Sequence, residues 1–232
     1  MFTHDPKFKL DKVKGTDHHK TVLRFKRAMD ELGWEATDEL YSPTGAPGDR
    51  GALAASFEVK VPSLPRVKDF APHVGLTMSG EVVRRGFQLF VGGQDLNSGG
   101  FYVHARLTGP HGFAGEKDAI AELLTRWHDK AEAMLRLVPK LRASKVTPAE
   151  ANALMLGVCR IKSRWYQTTY KALSHIDRAW RDPPAPEMAD RTAWNLLMAV
   201  SVGVATVRPH GSQMDRRLAA RKLLLKKKEV VK

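Results

Sequence analysis

Between Leu53 and Leu107 the chain alternates apolar and polar residues, and the connections between these stretches are too short for helical crossovers. In LAASFEVKV, Leu53, Ala55, Phe57, Val59 and Val61 alternate with Ala54, Ser56, Glu58 and Lys60. This is the period of a strand with one buried face. Residues 74–78, 82–91 and 101–107 supply further strands. In the last, Phe101, Val103, Ala105 and Leu107 share one side, and Tyr102, His104 and Arg106 share the other. The turn-rich GGQDLNSGG, residues 92–100, connects the latter two. Parallel pairing requires long crossovers, so the section reads as an antiparallel sheet over about residues 52–108.

Helical spacing takes over on both sides of the sheet. Val22, Phe25, Met29 and Leu32 recur at helical intervals in KTVLRFKRAMDELG, which Gly33 closes, and SPTGAPGDRG (42–51) reads as an exposed loop. After Gly115, a helix carries Ile120, Leu123, Leu124, Trp127, Ala131, Met134, Leu135 and Val138 on one side, and Pro139 limits its extension. Thr147, Pro148 and Glu150 form a helix start with a capping box. The stretch ADRTAWNLLMAVSVGVATV is apolar all round and predicts a buried helix. The predicted class is α+β, with a central antiparallel sheet packed by C-terminal helices and a basic arm at each end. Residues 1–41 form the first arm and helix, 52–114 the sheet, 115–207 the helical part of the same domain, and 208–232 a basic helix or tail.

Charge bears on the partner rather than the fold. Lys and Arg number 38 against 25 Asp and Glu, a net +13 that gathers in patches. One patch opens the chain, with Lys7, Lys9, Lys12, Lys14, Lys20, Arg24, Lys26 and Arg27; the other closes it. Clustered cations concentrate phosphate backbones by counterion release. In the helix begun at Thr147, the positions Arg160, Arg164, Gln167, Lys171, His175 and Arg178 fall on one face, opposite Val158, Trp165, Ile176 and Trp180. Such a stripe can follow a phosphate backbone, or it can be a solvated helix face. Arg216, Arg217, Arg221, Lys222, Lys226, Lys227 and Lys228 supply further phosphate contacts from a more mobile tail, and Tyr102 with Arg106 supplies a contact to bases.

Catalytic signals are sparse. There is no GxxxxGK[ST] segment, and Cys159 is the only cysteine, which excludes an intrachain disulfide and a Cys-based zinc cluster. None of the histidines has the spacing of a helical zinc site, so nothing in the sequence calls for a cofactor or metal. A nuclease using His104 or His128 with nearby acids is the third-ranked alternative. The start MFTHDPKFKLDKVKG lacks the apolar core of a secretory signal, and no run of about 20 apolar residues exists to span a bilayer. The chain therefore reads as cytoplasmic.

The run ADRTAWNLLMAVSVGVATVRPHGSQMDRRLAARKLL, residues 189–224, resembles the closing segment of an uncharacterised family of phage and plasmid proteins, with Arg191, Thr192, Trp194 and Leu197 matching. A sheet ending in ARLTG and helices with a TPAEA-like start at Thr147 follow a similar order, so the resemblance covers about residues 80–225. It implies a mobile-element setting and transfers no catalytic residue. The combined expectation is sequence-independent nucleic-acid binding, DNA ahead of RNA, in replication, recombination or packaging. The rival is a virion component or host-factor inhibitor that meets an acidic protein surface, and a second copy of the chain is a further candidate partner.

Overall fold

A computed structural model describes residues 17–43, 53–78, 87–109, 116–159, 170–183, 186–205 and 210–229. The N-terminal arm before residue 17, most of the 42–51 loop and residues 82–86 of one expected strand lie outside the described residues.

Helix α1 (Asp17–Glu31) buries Val22, Phe25 and Met29 as their spacing requires. It ends where Gly33 adopts φ +71°. The Gly33 N–H then donates to the Asp30 carbonyl and the Trp34 N–H to that of Met29, a Schellman closure that needs a residue without Cβ strain at Gly33.

The chain turns directly into β1 (Glu35–Pro43), a strand the sequence pattern did not reveal. Four more follow: β2 (Leu53–Lys60), β3 (Phe70–Met78), β4 (Phe87–Asp95) and β5 (Phe101–Thr108). They pair antiparallel in chain order, β1-β2-β3-β4-β5, so the expected sheet is present and begins earlier, at Glu35.

Both faces of this sheet are covered, which corrects the one-buried-face reading. Leu53, Ala55, Phe57, Val74, Leu76, Leu89, Val91, Tyr102 and Leu107 belong to the main core. Ala54, Phe90, Phe101 and Val103 form a second cluster on the opposite face. The register shifts between Val91 and Gly92, which pair with Ala105 and Val103, so His104 is the extra residue of a bulge. That shift explains why Leu107 joins Tyr102 in the main core and parts from Phe101 and Val103.

The helices after the sheet complete the core. Helix α2 (Glu116–Ala143) runs past Pro139, beyond the stop that proline was expected to impose. Val138 and Leu141 on either side of Pro139 are buried, and the proline itself faces out. Helix α3 (Pro148–Cys159) starts with the expected box: the Thr147 N–H donates to Glu150 Oε2 at 2.7 Å, and the Glu150 N–H donates back to Thr147 Oγ1 at 3.3 Å. Helix α4 (Tyr170–Arg181) follows residues 160–169, which lie outside the description, so the expected stripe is described only at its later end, from Lys171 to Arg178.

Helix α5 (Ala193–Val204) is buried all round, as its composition predicts, and is capped by Thr192, whose Oγ1 accepts from the Asn195 N–H. Its Gly203 lies against Ile176 of α4 so closely that a Cβ there would stand 2.6 Å from the Ile176 backbone nitrogen. Helix α6 (His210–Glu229) places Met214 and Leu218 on the second sheet face. One cluster of buried side chains nevertheless runs from Val22 of α1 to Leu224 of α6. Among the described residues, no helix is long and apolar enough to cross a membrane.

Candidate nucleic-acid interface

The basic helix α6 is divided by burial. Its first half carries Arg216 and Arg217, both buried, and neither faces a phosphate-accessible surface. Arg216 Nη1 donates to the Val158 carbonyl in the last turn of α3, at 3.1 Å. Arg217 Nη2 donates to the Ser201 carbonyl in the last turn of α5, at 3.3 Å, and its guanidinium lies 5.9 Å from the Phe101 ring centre. Last-turn carbonyls carry the negative end of the helix dipole, so each guanidinium places one donor against such an end, while Arg217 Nε has no hydrogen-bond partner among the described residues. Gln213 adds a third such contact, from Nε2 to the Ala205 carbonyl that follows α5. Burial nevertheless lowers the Arg217 pKa to about 10, because the charged form has lost water.

Tyr102 and His104 are interior as well. Arg221 Nη2 lies 3.5 Å from His104 Nε2, and Tyr102 Oη lies 3.4 Å from His104 Nδ1. The guanidinium can only donate, which assigns the proton on His104 to Nδ1. Burial, then the charges of Arg221 and Lys130, push the His104 pKa down to about 3, so the ring is neutral. Burial raises the Tyr102 phenol to about 12 against the pull of Arg221. Its ring packs 5.3 Å from Trp194, which leaves no face for a base. Arg106 is exposed, and it pairs with Asp215 at 2.8 Å. Burial raises the Asp215 pKa while Arg106, Arg216 and Lys222 pull it down.

The second half of α6 is the exposed cationic part. Lys222 and Lys226 face solvent, and among the described residues neither has a carboxylate within 4.0 Å. Lys130 on α2 is exposed beside the His104 locus, where its field and that of Arg221 meet. The structure therefore gathers Arg106, Lys130, Arg221 and Lys222 around β5 and α6, with Lys226 one turn further along α6. On α4, Arg178 is exposed and His175 half-buried. Lys171, Lys227 and Lys228 are placed by backbone alone, on α4 and α6. Arg160 and Arg164 lie outside the described residues.

Among the described residues no group of three or more His, Cys, Asp or Glu could hold a metal ion. The neighbours of His104 are cations, and His128 is taken up by Ser63, whose Oγ lies 2.7 Å from Nε2. Burial pushes the Cys159 thiol up, with Arg216 pulling the other way.

A polar centre that the sequence did not disclose lies at the β4–β5 turn. Asp95 Oδ1 accepts from Arg142 at 2.9 Å and from the Trp194 indole at 3.1 Å. Its Oδ2 accepts from the Ser98 N–H at 3.0 Å and the Ser98 hydroxyl at 2.7 Å. Arg142 also donates to the carbonyls of Lys68 and Asp69, and Asp69 holds φ +56°. A cleft of about 190 Å³ adjoins these groups, but both carboxylate oxygens are saturated, so the centre fastens α2, α5 and the turn together. The three residues Arg191, Thr192 and Trp194 thus stack on Trp180, cap α5 and bind Asp95. Comparisons with protein-family models, curated proteins and solved structures return no match to this chain.

Proposed function

We propose that this chain binds nucleic acid without sequence preference, DNA in the first instance, in the replication, recombination or packaging of a phage or similar mobile element. The observation that carries the reading is the division of α6. Arg216 and Arg217 are spent on helix ends, while Lys222 and Lys226 stand in solvent with no carboxylate within 4.0 Å among the described residues, Lys222 in the wider field of Asp215. Arg106 adds positive charge beside Asp215 of α6, and Lys130 and Arg221 add it around His104 of β5. Exposed, unpaired lysines on a rigid helix are the groups that release counterions when a phosphate approaches, whereas buried arginines contribute only to the shape that presents them. The net charge of +13 supplies long-range attraction.

The test is binding of labelled DNA of unrelated sequences across a salt series, with the double variant Lys222→Glu/Lys226→Glu beside the wild type. The variant should bind every sequence more weakly and show a shallower salt slope. Salt-independent binding, or stoichiometric complexes with an acidic protein and none with DNA, overturns the reading.

A further inference from the structure

A second cleft, about 340 Å³ in volume, opens between the start of α3, the end of α4 and the segment that leads into α5. Its wall exists because residues 145 and 192 form an isolated antiparallel bridge, and the Val146 N–H donates to the Arg191 carbonyl at 2.9 Å. Val146 and Trp180 are buried and make its floor. Asn152, Asp177, Arg181 and Arg191 stand around the rim. The volume falls in the range of small-ligand clefts, about 300–1,000 Å³.

The rim is not neutral in shape or charge. The Arg191 guanidinium lies over the Trp180 ring, 4.7 Å from its centre, held there by donation to the carbonyls of Trp180 and Arg181. Arg191 is itself exposed, so a cation resting on an indole is open to solvent at the rim. Arg181 gives its Nε to Asp177 at 2.9 Å, which neutralises that carboxylate and leaves both terminal nitrogens without an acceptor among the described residues. The Asn152 amide, exposed at the mouth, also has no partner among the described residues and offers both a donor and an acceptor.

We propose that this cleft holds one nucleotide: a base laid on the exposed guanidinium of Arg191 and read at its edge by Asn152, with its phosphate on Arg181. Arginine planes stack bases as aromatic rings do, and a base can reach such a surface only when it is unpaired. The nucleotide is either a free monophosphate or an unpaired residue of a strand. For the strand source the inference rests on the nucleic-acid reading above; for the free source it stands alone.

The experiment measures wild type, Asn152→Ala and Arg181→Gln, both surface substitutions, against four probes: a short single strand, its abasic counterpart, the duplex, and the four nucleoside monophosphates at millimolar concentration. The strand source predicts that wild type prefers the base-bearing strand over the abasic one by about tenfold. Each variant then loses about fivefold or more for that strand, with duplex binding unchanged. Monophosphate binding that either variant abolishes, without strand preference, supports the cleft with the free source. Equal binding of all strands by wild type and both variants, together with no monophosphate binding, overturns the cleft and leaves the nucleic-acid reading standing. Absence of binding to every probe overturns both.

Discussion

The Arg216 guanidinium donates to the Val158 carbonyl, so a charge on α6 closes the end of α3. Arg217 does the same for α5 at Ser201, one residue along and on a different side of the helix. Two residues of a run that looks like a phosphate-binding tail are therefore part of the core. The packed stripe of α6 accounts for Arg217, which is buried on it with Met214, Leu218 and Leu224, whereas Arg216 is buried on the other side of the helix, against α3.

Arg217 faces no carboxylate, so replacing it by an apolar side chain of similar reach removes a desolvation cost along with a hydrogen bond. Ser201 keeps a donor in the Ala205 N–H. Arg217→Met should change stability by no more than about 1 kcal/mol, and Arg217→Ala, which leaves a cavity against Phe101, should lose about 2–4 kcal/mol. Urea denaturation of the two variants separates these outcomes.

Asp95→Asn removes the carboxylate that holds Arg142, Trp194 and Ser98 at one point. The amide keeps the shape and loses the charge, leaving a half-buried guanidinium without its counter-ion. The expected cost is about 3 kcal/mol by urea denaturation. A cost under about 0.5 kcal/mol would remove Asp95 from the role assigned to it.

Gly203→Ala forces a Cβ into the Ile176 backbone where α4 and α5 touch. Relief requires the helices to separate, and the expected loss is about 1–3 kcal/mol in thermal or urea unfolding. Wild-type stability in this variant would mean that α4 and α5 sit further apart.

His73 and His104 are both buried neutral, with pKa values pushed by burial to about 4 and about 3 from an ordinary 6.5. Below 6.5 the unfolded chain takes up protons that the folded chain refuses, so folding stability is full above that pH. It falls as the pH drops toward 4, with each histidine contributing up to about 1.4 kcal/mol per pH unit. His73 Nδ1 lies 3.0 Å from Ser56 Oγ, and its Nε2 has no hydrogen-bond partner among the described residues. His73→Gln should flatten part of the acid slope measured by denaturation between pH 7 and 4, and an unchanged slope would show that His73 does not supply it.

Much of the fold was legible because burial imposes a period on sequence. The alternation from Leu53 to Val61, the α1 spacing closed by Gly33, the Thr147 capping box and the apolar α5 all correspond to elements in the structure. Strand β1 was not legible, since EATDELYSP is an edge strand whose Glu35 and Glu39 pair with Lys60 and Lys26 in place of packing. The bulge at His104 was hidden for a different reason: strict alternation gives no sign of one extra residue, and the residue that breaks the register is known only from its partner strand.

The site was less legible than the fold. Reading every Lys and Arg as exposed misplaced Arg216 and Arg217, although the stripe Met214, Arg217, Leu218, Arg221 and Leu224 carries the helical period that marks a packed face. Tyr102 was assigned to an open sheet face, and α5 and α6 cover it. The Asp95 centre joins residues 95, 142 and 194, which no local motif connects.

The most direct measurement of the central claim is fluorescence anisotropy with labelled single- and double-stranded DNA of unrelated sequences, titrated from low to high salt, for wild type and Lys222→Glu/Lys226→Glu. Phosphate binding through Lys222 and Lys226 predicts binding to all sequences alike, a steep fall of affinity with salt, and a slope in the variant that is shallower by about 2 in log–log terms. No binding at low salt, or a variant that matches wild type at every salt concentration, contradicts it.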